Sequence, residues 1–222
     1  MTKQMGLNKQ KGNMYGFVTH TWNAIKGKCS HGCSYCYMKP FWKSEVHLDE
    51  KELKTDLGKN NFLFVGSSTD MFANDVPSEW IKKVFEHCIE YSNTYLFQSK
   101  NTKRLYEFWN WFPTGVIIGT TAETNRNTSF SKAPNTHQRL IWLSKINTRR
   151  MITIEPILEF DLKQFVQWIK NVEPEFVNIG ADSKGHKLPE PSSKEIGHLI
   201  SELRMFTKVN LKDNLKRIYC NE

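Results

Sequence analysis

Lys28-Cys29-Ser30-His31-Gly32-Cys33-Ser34-Tyr35-Cys36-Tyr37 packs three cysteines into one short stretch, in the order Cys-x3-Cys-x2-Cys. Thiols this close on a loop read as metal ligands rather than as halves of a disulfide framework, and Gly32 suits a tight turn. Three thiolates can hold three irons of a cubic iron–sulfur cluster and leave the fourth iron open, and an open metal position is where chemistry takes place. The rival reading is structural zinc, which asks for four ligands. His31 lies two residues from both Cys29 and Cys33, too tight to close such a site with them, and Cys88 and Cys220 stand alone.

Outward from this loop, short apolar runs alternate with helical patterns. Tyr15-Gly-Phe-Val-Thr-His-Thr21 reads as a first strand ending just before the cysteines. A short polar helix is expected over Leu48–Leu57. Further strands are expected at Phe62–Val65, Tyr95–Gln98, Val116–Gly119, Met151–Glu155 and Phe176–Ile179, with a terminal strand at Thr207–Leu211. Helices are expected over Pro77–Tyr91, Thr102–Phe112, Thr136–Ile146, Asp161–Asn171 and from Ser192 or Ser193 to Met205, with Cys88 and the aromatic set Phe108, Trp109, Trp111 and Phe112 in the core. Apolar strands alternating with helices specify an α/β fold with a parallel sheet. Six such units fit a partial (βα)6 TIM-like barrel, since a full eight-unit barrel takes about 250 residues. The alternative is an open doubly wound sheet. Residues 15–222 read as a single domain and residues 1–14 as a flexible lead-in.

Parallel α/β folds place their sites at the C-terminal ends of the strands. Here those ends carry Cys29–Cys36, Gly66-Ser67-Ser68-Thr69-Asp70, Gln98-Ser99-Lys100, Gly119-Thr120-Thr121-Ala122-Glu123, Glu155-Pro156 and Gly180-Ala181-Asp182-Ser183. Each strand thus delivers small, hydroxylated or charged residues to one rim. Lys100 and Glu155 are candidate catalytic residues there. Gly66–Asp70 also suits a helix-capping loop.

The 222 residues carry 31 Lys+Arg against 23 Asp+Glu, a net charge of +8, which favours an anionic partner such as nucleic acid. No apolar run approaches a membrane span, and the polar N-terminus lacks a secretory core. An odd cysteine count with three crowded together points to a reducing cytoplasm.

These stretches together resemble the radical S-adenosylmethionine superfamily, and within it a compact phage- and prokaryote-associated group. The resemblance rests on Thr21-Trp22-Asn23, Cys29–Tyr37, Ser68–Phe72, Asp75-Val76-Pro77, Phe97–Lys100, Gly119–Asn125, Ile154-Glu155-Pro156 and Lys212-Asp213-Asn214-Leu215. More distantly the pattern is similar to spore photoproduct lyase, a radical enzyme that repairs DNA. The resemblance implies that Cys29, Cys33 and Cys36 ligate a [4Fe–4S] cluster whose open iron is chelated by S-adenosylmethionine. It implies reductive cleavage to a 5′-deoxyadenosyl radical, with the electron coming from a separate donor. It places Tyr35 beside the adenine. It places Gly66, Ser67, Ser68 and Asp70 near the methionyl amine, where the superfamily often has a Gly-Gly-Glu-like segment that this sequence departs from. Thr120, Thr121 and Glu123 fall where ribose and carboxylate are bound. Lys100 would meet the carboxylate or a substrate phosphate. Cys220, by its own position third from the end, reads either as a plain terminal thiol or as a hydrogen-atom donor to a substrate radical.

The expected substrate is a nucleic-acid base or nucleotide, in repair or modification. A peptide or small metabolite, or a non-catalytic metal-bearing nucleic-acid module, are the alternatives. A mouth left open by so small a barrel suits a large substrate or a partner protein that completes the site.

Overall fold

The computed structural model describes residues 6–220. Its strands are β1 (Asn8–Lys9), β2 (His20–Trp22), β3 (Ile25–Lys26), β4 (His47–Leu48), β5 (Phe62–Val65), β6 (Thr94–Gln98), β7 (Val116–Thr121), β8 (Arg149–Ile154), β9 (Phe176–Ile179) and β10 (Lys208–Leu211). Its helices are α1 (Ser78–Ile89), α2 (Thr102–Glu107), α3 (Thr136–Ser144), α4 (Leu162–Lys170) and α5 (Ser193–Arg204). The main sheet runs β1-β2-β5-β6-β7-β8-β9-β10. Every neighbour pair in it is parallel except β1 with β2.

The strand order never reverses. A doubly wound sheet reverses at a switch point, whereas monotonic order with right-handed crossovers puts all the helices on one face. The sheet is therefore wound as a partial barrel, and among the described residues no pairing closes it. Side chains alternate across it. Leu63, Val65, Tyr95, Phe97, Ile118, Ile152, Ile154, Val177 and Ile179 join the helix-side core. Phe64, Leu96, Ile117, Met151 and Phe176 face the other way and are covered by Tyr15 and Val18, from the segment ahead of β2.

That segment corrects the first expected strand. Only His20–Trp22 pairs; Tyr15 to Val18 forms a turn, closed by Val18 N–H donating to Tyr15 O at 3.0 Å. The Phe17 ring stacks on Tyr15 at 5.3 Å. The concave face needs a plug, and burying these rings there outweighs extending the strand. Within the stretch read as a lead-in, Asn8–Lys9 pairs antiparallel with His20–Thr21, and residues 1–5 lie outside the described residues.

The helix expected over Leu48–Leu57 is also absent. His47–Leu48 pairs with Ile25–Lys26, and one 3-10 turn follows at Glu52–Lys54. Asp49 and Glu52 both accept from Lys26 Nζ at 2.7 Å, which fixes the segment better than a short polar helix would. α2 stops at Glu107, and Trp109 and Trp111 sit on an exposed 3-10 turn rather than in the core, with Lys82 Nζ 4.7 Å from the Trp111 ring centre. Phe108 and Cys88 are buried as expected. Among the described residues no helix is long and apolar enough to cross a membrane.

Candidate active site

The C-terminal ends of the parallel strands surround a cavity of about 630 Å³, within the usual range for small-molecule sites. The cysteine loop forms one wall. Glu155, Ser183, Lys212 and Asn214, which follow β8, β9 and β10 at the far end of the strand order, form another wall. Gln98, Thr121 and Thr153 make a polar floor above the apolar plug, joined by Tyr15, whose hydroxyl lies 2.7 Å from Gln98 Oε1 and 2.8 Å from Thr153 Oγ1.

Two consecutive turns shape the cysteine loop: Gly32 N–H donates to Cys29 O and Cys36 N–H to Cys33 O. Gly32 adopts φ +56°, where a side chain would be strained. The chain between β7 and α3 braces this loop. Ser34 N–H donates to Phe130 O at 2.7 Å, Lys132 N–H to His31 O at 2.8 Å, and Ser131 Oγ lies 3.1 Å from Cys33 Sγ. Cys29, Cys33 and Cys36 are free thiols lining the cavity. Burial, reinforced by Asp70, pushes the Cys29 thiol up to about 12, and burial raises that of Cys36. Metal ligation there releases protons. Among the described residues no three His, Cys, Asp or Glu side chains gather as ligands of a single ion. A cubic cluster asks for something different, one soft sulfur for each of three irons, and three thiols along one wall suit that demand.

Asp70 ties this wall to the strand ends. Its carboxylate accepts from His31 Nε2 at 2.9 Å, Ser99 Oγ at 2.8 Å, Lys100 N–H at 2.8 Å and Phe72 N–H at 3.0 Å. Burial opposes its ionisation, but these donors hold its pKa below the ordinary carboxylate value. His31 is itself buried beside this carboxylate.

Behind the loop lies a second buried group. Glu123 Oε1 accepts from Lys100 Nζ and Tyr35 OH, and its Oε2 accepts from Arg139 Nη2 at 2.8 Å. Lys100 Nζ also donates to Tyr35 OH at 2.7 Å and sits 4.6 Å from that ring's centre. Burial would raise the Glu123 pKa, yet Arg139 and Lys100 hold it well below the usual range. Burial would lower that of Lys100, yet Glu123 holds it up. Two cations share one carboxylate, so this group carries a surplus positive charge beside the cysteines.

On the second wall Glu155 accepts from Asn13 Nδ2 and Asn214 Nδ2 at 2.8 Å each, and from Lys212 Nζ at 2.6 Å. Gly180 makes room for this contact: a Cβ there would lie 2.8 Å from both Glu155 Oε1 and Asn214 Oδ1.

Residues 14–189 match the family described as Protein of unknown function (DUF5131). The chain belongs to the DUF5131 family. No curated protein matches its sequence. Among solved structures, a cysteine-to-alanine mutant of spore photoproduct lyase with dinucleoside spore photoproduct matches at TM-score 0.66 and 10% identity. A double mutant of that lyase with bound AdoMet and the same dinucleoside matches at TM-score 0.65 and 10% identity. Each match covers 91% of this chain and 78% of the other. At such low identity the likeness establishes a shared fold.

In this DUF5131 chain the cavity gathers most of the residues read from sequence: the three cysteines, Tyr35, Gly66, Ser67, Ser68, Asp70, Lys100, Thr121 and Glu155. Gly66–Asp70 does not cap α1, which starts after Pro77; Asn23 Oδ1 instead accepts from Ser67 Oγ at 3.2 Å and Ser68 N–H at 2.9 Å. Three of the expected residues lie off the cavity lining. Thr120 points to the helix side and donates to Ser99 O at 2.7 Å, because neighbours on a strand face opposite ways. Glu123 lies behind the wall with its oxygens taken by protein donors, not open to a ribose. Cys220 is exposed and off the cavity lining, its sulfur 4.0 Å from Lys216 O.

Arg139, Asn13, Lys212 and Asn214 were not identified as site residues from sequence. Arg139 lies on α3, where a lone arginine gives no signal. Lys212 and Asn214 follow β10, so extending the strand-end rule to the last strand finds them.

Proposed function

We propose that this DUF5131 protein is a radical S-adenosylmethionine enzyme acting on a nucleic-acid base or nucleotide. The observation that carries the reading is the set of three free thiols on one wall of a cavity at the strand ends. The donor chemistry fits: three free thiols lining one cavity are the soft sulfur ligands that an iron–sulfur cluster takes. Cys29, Cys33 and Cys36 would hold the [4Fe–4S] cluster. When bound, the cluster and S-adenosylmethionine supply a reductively generated 5′-deoxyadenosyl radical, at the expense of one electron from an external donor.

The chain's own residues position these parts. Asp70 fixes the cysteine loop against Ser99 and Lys100. The surplus cation at Lys100 and Arg139 suits the anionic surroundings of a thiolate-ligated cluster and the carboxylate of S-adenosylmethionine. Tyr35, pinned by Lys100 and Glu123, offers a fixed aromatic face. The wall bearing Glu155, Lys212 and Asn214 remains for substrate. Glu155 accepts from three donors, so it orients those groups rather than acting as a free base. The nucleic-acid part draws support from the basic charge and from the fold shared with spore photoproduct lyase, whose structure was solved with dinucleoside spore photoproduct.

The test is anaerobic reconstitution with iron and sulfide, reduction, and measurement of 5′-deoxyadenosine. Formation by the wild type and its loss in Cys33→Ala support the reading. A fully loaded, reduced wild type that leaves S-adenosylmethionine intact both alone and with DNA, RNA or nucleotides contradicts it.

A further inference from the structure

The charged side chains deep in the cavity are engaged. Lys100 pairs with Glu123, Lys212 with Glu155, His31 with Asp70, and Asp182 with His186. Lys11 and Lys184 differ. Both line the cavity, both are exposed, and among the described residues neither has a carboxylate within ion-pair distance. They come from segments far apart in sequence. Asn13 and Ser183 bring these segments together, with Asn13 Nδ2 3.5 Å from Ser183 Oγ, above the Glu155 contact. Two unneutralised ammonium groups at one lip form a local positive field that phosphate oxygens match.

A second part of the mouth is aromatic. Tyr37 lines the cavity with its hydroxyl fixed on Ser67 O at 2.7 Å, and the residue is still 48% exposed. Phe41, on the following 3-10 turn, is 66% exposed. A flat ring held by one anchored atom is a stacking face for a base.

We propose that Lys11, Lys184 and Tyr37 form a nucleotide subsite at the cavity mouth, which takes a polynucleotide strand. The lysines hold backbone phosphates in solvent at one lip, and Tyr37 stacks a base at the aromatic part. This rests on the nucleic-acid reading above and adds where the strand lies. Phosphates at the lip leave the interior for the reacting base and the cofactors, which a strand with one base turned inward satisfies.

The experiment is fluorescence anisotropy of a short labelled single-stranded DNA with the reconstituted protein over a range of salt. The variants are Lys11→Ala/Lys184→Ala, Tyr37→Ala and Tyr37→Phe. Lys59→Ala serves as the control, an exposed lysine just before β5 at the opposite end of the sheet. The slope of log affinity against log salt is expected to fall by about 0.7 for each lysine lost, with no change in Lys59→Ala. Tyr37→Ala is expected to weaken binding roughly tenfold, and Tyr37→Phe to retain it, at equal iron content. An unchanged slope in the double variant overturns the subsite and leaves the nucleic-acid reading standing. Displacement of the DNA by a nucleoside monophosphate at equal nucleotide concentration overturns the strand in favour of a free nucleotide. A wild type that binds no DNA at any salt overturns both the subsite and the nucleic-acid reading.

Discussion

At Glu123 one buried carboxylate holds Lys100, Arg139 and Tyr35. Glu123→Gln leaves two buried cations with a neutral partner, and breaking such a pair costs about 3–5 kcal/mol. Urea denaturation should show a lower midpoint of that order. The acid response follows from the same residue. The folded-state pKa values of Glu123 and Asp70 are both depressed, so the stability they add is complete above the ordinary carboxylate pKa near ~4 and is lost as pH falls through the lowered values. Lys100 is shifted upward, so its share persists through neutral pH. Melting temperature against pH should therefore fall below about pH 4 in the wild type and fall less steeply in Glu123→Gln. At this scale the sequence exposed which residues end each strand but not which way they face. Thr120 and Thr121 look alike in sequence, and only the pleat separates the one that bonds Ser99 O from the one on the cavity floor.

The elements add a second constraint, which is space. β8 and β9 bring Glu155 and Gly180 together, and the absent Cβ lets Glu155 meet Lys212 and Asn214 beyond β10. Gly180→Ala should displace Glu155 at a cost of about 1–3 kcal/mol. Its expected signature is loss of substrate-dependent turnover with normal iron content, since the cysteine wall is a separate part of the cavity lining. Tyr15→Phe should weaken the floor, because Gln98 and Thr153 lose a shared buried partner; thermal denaturation should register about 1–3 kcal/mol. The strands from β5 to β9 were legible because largely apolar runs bounded by Gly, Pro or polar residues suit a sheet covered on both faces, whereas the edge strand β10 (Lys208-Val-Asn-Leu211) shows only alternation. Tyr15–Thr21 was misread because its rings serve the concave face rather than a ladder. Leu48–Leu57 was misread because Lys26, far away in sequence, decides what Asp49 and Glu52 do.

For the whole molecule, monotonic strand order places every rim loop around one opening. Cysteines crowded in sequence become a wall, and the two ends of the chain, through Asn13, Lys212 and Asn214, become another. The cysteine wall was readable in advance because its spacing is local. The other wall was not, because it is assembled from segments at both ends of the described chain that only the curl of the open sheet brings together. The central claim is that this cysteine wall holds a cluster with an iron left open to S-adenosylmethionine. The most direct measurement is electron paramagnetic resonance of the anaerobically reconstituted, reduced protein before and after adding S-adenosylmethionine, beside an iron and sulfide count. The account predicts about four irons and four sulfides per chain, and a spectrum that changes when S-adenosylmethionine binds. A single tightly bound ion per chain, or a cluster spectrum indifferent to S-adenosylmethionine, would contradict it.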